Sequence, residues 1–261
     1  MDSGKLHRLK RIFRTDGKTL IVAMDHGTAL GVVPGLERPG DTIKRVLAGG
    51  ADAIMANFGI ATAFAAEIGQ AGLILRVDRV AGGDAGEARL LYRAEDALRI
   101  GADCIACMGF PGSRFEHATL RHLAELAAEC QRWQLPLLAE MLPQGFEGGE
   151  DARKPQAIGH AIRIGAELGA DIVKTQYSGT VAGFRSALVS CFVPVVVLGG
   201  GKMEDEADVL RTAREAVDAG ATGVAMGRNI WSHQHPERMT AALAAIIHDG
   251  ATVEQAMKKL R

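Results

Sequence analysis

Gly169-Ala170-Asp171-Ile172-Val173-Lys174-Thr175 joins two unlike signals in seven residues. The glycine reads as a left-handed helix cap, and the apolar run after it reads as a short buried strand. Side chains alternate along a strand, so Ile172 and Lys174 share one face while Val173 and Thr175 share the other. The same Gly-Ala-Asp/Thr sequence recurs at Gly50-Ala51-Asp52, Gly101-Ala102-Asp103 and Gly220-Ala221-Thr222, each time just before an apolar run. A unit of roughly 25–35 residues, one apolar run plus one amphipathic helical stretch, therefore repeats along the chain, as in βα units of a parallel sheet.

Eight such runs are predicted as strands: Thr19 to Met24, Ala53 to Asn57, Leu73 to Val77, Cys104 to Met108, Leu137 to Leu142, Ile172 to Thr175, Pro194 to Leu198 and Gly223 to Met226. The intervening helices are predicted from about Asp41, over Ile60 to Gln70, Glu87 to Ile100, Phe115 to Trp133, Lys154 to Leu168, Val181 to Val189, Glu204 to Ala219 and Pro236 to His248. Eight units with no linker between them predict an α/β fold, a (β/α)8 TIM barrel spanning 1–261 as a single domain. Leu6, Leu9, Ile12 and Phe13 have the spacing of a short N-terminal amphipathic helix that could plug one end.

Composition agrees. Of 261 residues 48% are apolar and only 5% aromatic, with 32 glycines, which suits parallel strands packed under helices with many tight turns. The net charge of −1, with both signs dispersed, predicts no nucleic-acid partner and no polybasic membrane anchor. No apolar run approaches the roughly 18 residues of a membrane span, and Met1 to Arg14 lacks the apolar core of a signal peptide. Cys104, Cys107, Cys130 and Cys191 have no partner pattern for zinc, and positions three apart on a strand face opposite ways, so buried free thiols in a reducing cytoplasm are expected.

Polar groups gather at the predicted strand C-termini, where barrel enzymes carry their sites. Asp25-His26-Gly27 follows strand one, Asn57 ends strand two, and Arg76 and Asp78 flank the end of strand three. Glu140 lies late in strand five and Lys174 late in strand six. A lysine buried in such a run loses its proton more readily and becomes a nucleophile toward carbonyls; the alternative is a strand-end lysine paired with a carboxylate or reaching water. Alternation places Ala23 with Asp25, and Leu138 with Glu140 and Leu142, but does not say which face is inward. Gly199-Gly200-Gly201-Lys202 and Gly227-Arg228-Asn229 follow strands seven and eight, the usual phosphate cradle of this barrel. The glycines could equally form a plain turn, and Arg228 a surface salt bridge.

Asp25-His26-Gly27, Asp171-Ile172-Val173-Lys174-Thr175, Gly199-Gly200-Gly201 and Met226-Gly227-Arg228-Asn229-Ile230 together resemble the archaeal-type class I aldolase family, which is DeoC–LacD-like. That family includes fructose-bisphosphate aldolases, amino-deoxy-heptulosonate synthases and a thiolase for phosphorylated autoinducer-2. The likeness runs from about Gly17 to His248. It implies that Lys174 is the Schiff-base lysine, that Asp25 is the carboxylate beside it, and that the loops after strands seven and eight bind a substrate phosphate. It also implies a homo-oligomer, commonly a decamer in the family, and no metal or other cofactor.

One departure stands out. Family aldolases have Tyr-Pro-Arg-Gly after strand five, with the tyrosine as acid/base; here the stretch is Leu142-Pro143-Gln144-Gly145. Glu140, two residues back on the same face, is the candidate replacement, unless it is salt-bridged to Lys174 or Arg76 and moves no proton. His26 is expected either to meet substrate or to buttress Asp25, the latter preferred, and Arg76, Arg79 and Arg114 either to meet a second anionic group or simply to solvate the rim. Thr28-Ala29-Leu30 stands where fructose-bisphosphate members carry a second histidine. The expected activity is C–C bond cleavage or formation in a phosphorylated ketose or keto sugar phosphate by a lyase. The alternatives are lysine-dependent acyl or ketol transfer, and a barrel that binds a sugar phosphate without catalysis.

Overall fold

The computed structural model describes residues 3–80 and 88–261. Eight parallel strands close on themselves: β1 (Thr19–Ala23), β2 (Ala53–Ala56), β3 (Gly72–Arg76), β4 (Cys104–Gly109), β5 (Leu137–Met141), β6 (Ile172–Thr175), β7 (Val195–Leu198) and β8 (Gly223–Met226). Each neighbours the next in sequence, and β8 pairs with β1, so no edge is left open. This is the (β/α)8 barrel expected from the repeats.

Both faces of every strand are covered, and alternation sorts the residues. Ile21, Ala23, Met55, Ile74, Cys104, Ala106, Leu138, Ile172, Val196 and Ala225 form one buried cluster, the barrel lumen. Their sequence neighbours, among them Leu20, Val22, Leu75, Cys107, Ala139, Val173 and Val197, join the layer beneath the helices. Cys104 and Cys107 thus face opposite ways, and all four cysteines are free thiols. The N-terminal helix Ser3–Ile12 closes the lumen from below, with Ile12 fully buried and Leu9 and Phe13 packed against the lumen cluster. Leu6, expected on the same apolar stripe, remains 46% exposed.

The recurrent caps hold their conformation. Gly50, Gly101, Gly169 and Gly220 have φ of 98°, 75°, 100° and 114°, the left-handed region that glycine enters at no cost. The acid after three of these four caps has a further use that the sequence did not disclose. Asp52, Asp103 and Asp171 accept the backbone N–H of Leu20, Leu73 and Leu137 at 2.7, 3.0 and 2.9 Å, tying each strand start to its neighbour.

Two elements depart from expectation. The stretch read as a helix from Glu87 begins, after a residue outside the described set, with a strand Ala88–Leu90 paired antiparallel to Asp78–Val80. Ala88, Arg89 and Leu90 alternate in burial, a period of two, and the helix starts only at Ala94, where the Arg93 N–H donates to Asp96 Oδ2 at 2.9 Å. Residues 81–86 of the loop expected after strand three also lie outside the described residues. The helix expected over Ile60 to Gln70 is two short ones, Phe58–Ala63 and Ala65–Ile68, interrupted at Phe64.

Candidate active site

Lys174 lies on the lumen face near the C-terminal end of β6, 5% exposed. Its register partner on β5 is Glu140, and Glu140 Oε1 stands 2.9 Å from Lys174 Nζ. Both follow a lumen residue by two positions, Ile172 and Leu138, so the inward face left open by alternation is the one that carries Lys174 and Glu140.

Arg76, at the end of β3, is the hub of the site. Its guanidinium is 2% exposed and donates to three carboxylates: Nε to Asp25 Oδ2 at 2.8 Å, Nη1 to Asp78 Oδ1 at 3.3 Å, and Nη2 to Glu140 Oε2. Arg76, expected to meet a second anionic group, here meets three carboxylates of the chain itself, with Nη2 also 3.4 Å from Met55 Sδ. Glu140 has both partners foreseen for it, Lys174 and Arg76. Asp78 also accepts the N–H of Met108 at 2.9 Å, which anchors the network to β4.

The charges are unequal in their consequences. Burial alone would raise the Asp25 carboxyl, but Arg76 and Lys174 outweigh it and hold it down to about 2. Burial likewise pushes Glu140 up, and Lys174 and Arg76 pull it below the usual range. For Asp78 burial prevails and the carboxyl is raised.

His26 is different. Burial lowers its pKa, so the ring is neutral at pH 7. Its Nδ1 stands 3.5 Å from Asp25 Oδ1 and has no hydrogen-bond partner. His26 stands beside Asp25, as the preferred reading has it, but without a hydrogen bond; Arg76 holds the carboxylate, and Asn57 Nδ2 holds the Asp25 carbonyl at 2.7 Å. The His26 ring packs edge-on against Trp231, whose Nε1 donates to the Ala23 carbonyl at 2.9 Å.

The loop after β7 is braced from β8. Asn229 Nδ2 donates to the Gly199 and Gly201 carbonyls at 2.9 and 3.1 Å, and Arg228 Nη2 to the Gly200 carbonyl at 3.0 Å. In a trans peptide the N–H points opposite its C=O. The amides of Gly200, Gly201 and Lys202 are thereby turned away from β8, as an anion cradle requires. A Cβ built at Gly200 or Gly201 would meet nothing within 4 Å, so packing does not demand glycine there, although Gly200 has φ of +63°. Gly227 does need to be glycine: a Cβ would come within 2.5 Å of the Ala23 carbonyl and 2.6 Å of His26 Cε1. Arg228 is not the exposed ion pair considered as its alternative; its Nε is buried and has no partner.

At the position of the missing phenol, Leu142 is 7% exposed and clusters with Phe110, beside Met108 and Leu198. Nothing at that side chain can move a proton. Sequence reasoning named Asp78 at the end of strand three without a role, and missed Asn229 as the brace and Trp231 as the support of His26. Asp78 was visible two residues from Arg76; the other two carry no local signal. A cleft of about 700 Å³ lies on the outer surface between the helices Pro155–Glu167 and Val181–Leu188 and touches none of these residues.

Three comparisons bear on the site. A family model described as DeoC/LacD family aldolase matches residues 19–233. A 2-amino-3,7-dideoxy-D-threo-hept-6-ulosonate synthase of Halobacterium salinarum is 38% identical over 260 residues, covering 99% of this chain and 97% of that protein. A 2-amino-4,5-dihydroxy-6-oxo-7-(phosphonooxy)heptanoate synthase of Streptomyces griseus is 39% identical over 163 residues, 62% of this chain and 59% of that one. Among solved structures, an archaeal fructose-1,6-bisphosphate aldolase with its catalytic lysine covalently bound to the carbinolamine intermediate superposes with a TM-score of 0.84 at 29% identity, covering 93% of this chain and 99% of that chain.

Proposed function

The chain belongs to the DeoC/LacD family of aldolases, and from that premise we propose that it is a class I enzyme whose Lys174 forms a Schiff base with a phosphorylated keto compound and makes or breaks a C–C bond. The observation that carries this reading is a lysine inside the barrel mouth with a carboxylate 2.9 Å from its nitrogen.

Glu140 takes a proton from the Lys174 ammonium, and the neutral amine adds to the substrate carbonyl. The alkoxide formed takes a proton from the new C–N nitrogen, giving the carbinolamine. Glu140 then returns its proton to the hydroxyl, which leaves as water and gives the protonated imine. During cleavage the Glu140 carboxylate takes the proton of the substrate hydroxyl, an aldehyde departs, and the protonated imine accepts the electrons of the broken C–C bond to become an enamine; in synthesis the enamine attacks an aldehyde, whose oxygen takes that proton back from Glu140. Asp25, held ionised by Arg76, stabilises the positive imine. The loops Gly199–Gly201 and Gly227–Arg228 grip the phosphate away from the reacting bond, which orients the carbonyl. The orphaned nitrogens of His26 and Arg228 support a polar substrate group between them.

A second reading, ketol transfer that builds a seven-carbon amino keto acid, is favoured by the two synthase relatives. Acyl transfer of the thiolase type would instead show acetyl-CoA dependence.

The test is borohydride trapping with dihydroxyacetone phosphate and a panel of other keto phosphates, followed by peptide mass mapping. An adduct on Lys174, abolished by Lys174→Met, is expected. An adduct on another lysine would overturn the assignment, and a thermal shift with no adduct on any lysine would favour a binding barrel without catalysis.

A further inference from the structure

Five charged side chains converge at the barrel mouth, two cationic and three anionic, and one of them touches all the acids. We propose that Arg76 is a positioning residue for the reaction: it holds Asp25 and Glu140 as two separate carboxylates for the chemistry at Lys174, with Asp78 as its anchor. The inference rests on the Schiff-base reading above and goes beyond it by dividing labour among the acids.

The geometry carries the argument. Asp25 comes from the loop after β1, Glu140 from β5 and Lys174 from β6, so no single element sets their spacing. Arg76 spans them, with Nε on Asp25 at 2.8 Å and Nη2 on Glu140, while Nη1 reaches Asp78 at 3.3 Å. Asp78 is itself fixed by the Met108 N–H at 2.9 Å and is 3% exposed. A planar guanidinium spreads its donors over three nitrogens in fixed directions, whereas the three donors of a lysine in its place radiate from one nitrogen and do not span the same carboxylates.

The electrostatic consequence follows. Glu140 must be ionised to accept the Lys174 proton, and Asp25 must be ionised to stabilise the imine. The charged or titratable groups facing them are Lys174, Arg76, Asp78 and His26, and the last is neutral at pH 7. Without Arg76, three acids would share one cation, and carboxylates so placed hold their protons to higher pH.

The test measures the rate of adduct formation on Lys174 against pH, using dihydroxyacetone phosphate and cyanoborohydride. The double variant Arg76→Gln with Asp78→Asn removes one positive and one negative charge and so leaves the net charge of the cluster unchanged. Arg76→Lys is compared beside it. The acid limb of the double variant should move up by about one pH unit, with a smaller rise for Arg76→Lys. A merely structural role would lower the amplitude and leave the limb in place, and an unmoved limb in a folded variant overturns the proposal. If the double variant fails to fold, the Arg76→Lys limb decides alone, by the same criterion. If the parent chain forms no Lys174 adduct at all, the Schiff-base reading fails first and this inference falls with it; an adduct with an unmoved limb sinks only the role of Arg76.

Discussion

Glu140 stands where the chemistry most depends on one side chain. Its two oxygens are divided, one to Lys174 and one to Arg76, so it is placed to move a proton while being held still. Glu140→Gln keeps the shape and removes the base. Turnover should fall about 10²–10⁴-fold, the usual value of general acid–base help, while the Lys174 adduct still forms slowly. A variant within threefold of the parent would show that the glutamate only balances charge. Asp25 gives a sign that can be checked at acid pH. Its folded pKa, about 2, lies below the unfolded value of roughly 3.9, so its stabilising contribution is present above the unfolded value and is lost as pH falls toward 2. Asp25→Asn should therefore flatten the acid-unfolding curve between about pH 4 and 2, read by circular dichroism.

The two glycine-bearing loops and the strand starts are properties of elements. Gly223 opens β8 at φ of +146°, and a Cβ there would lie 1.9 Å from the Thr19 carbonyl of β1. β8 therefore closes the barrel against β1 only because the side chain is a hydrogen. Gly223→Ala should give insoluble or unfolded protein, whereas Gly201→Ala, with nothing within 4 Å of the added carbon, should fold normally. Asn229 acts on a neighbouring element. Its amide holds the Gly199 and Gly201 carbonyls and its oxygen accepts the Met203 N–H at 2.8 Å. Asn229→Ala should raise KM for a phosphorylated substrate about tenfold, roughly 1.4 kcal/mol, with a smaller change in kcat. An unchanged KM would show that the loop keeps its shape unaided. The elements were legible in the chain because each repeats a cap and a strand. The hairpin at Ala88–Leu90 was not, because three residues carry too little periodicity to compete with the helical stretch beside them.

The whole barrel is locked from its N-terminal end. The acids of the recurrent caps also bind the leading segment: Lys5 meets Asp171 at 2.8 Å, Arg11 meets Asp103 at 3.3 Å, and Arg14 meets Asp52. Lys5 and Asp171 are nearly buried, so Lys5→Ala leaves an acid without its charge partner and should cost about 3 kcal/mol, seen as a lower midpoint in urea. His248, at the end of the helix Pro236–His248, bridges Asp16 at 2.8 Å and Asp52 at 2.9 Å, joining the two ends of the described chain. Burial lowers its pKa, but the bonds to Asp52 and Asp16 outweigh that and leave it raised. The stabilisation is thus complete below the unfolded value of roughly 6.5 and disappears as pH climbs through the raised folded value. The difference in Tm between the parent and His248→Gln should shrink from pH 6 to pH 9; a constant difference would assign it to packing alone.

The chain by itself determined the barrel, the strand that carries Lys174 and the loops that follow β7 and β8. These are local facts: a cap glycine, a run of apolar residues and a polar residue at its end are all written within a few positions. Only the tertiary structure decided that Lys174 and Glu140 share the lumen, that Arg76 is bound by three acids, and that the hydrogen bond on the Asp25 carboxylate comes from Arg76 and not from His26. Those outcomes depend on how the closed sheet brings β1, β3, β5 and β6 to one mouth, a distance in space that period-two alternation along any one strand does not contain.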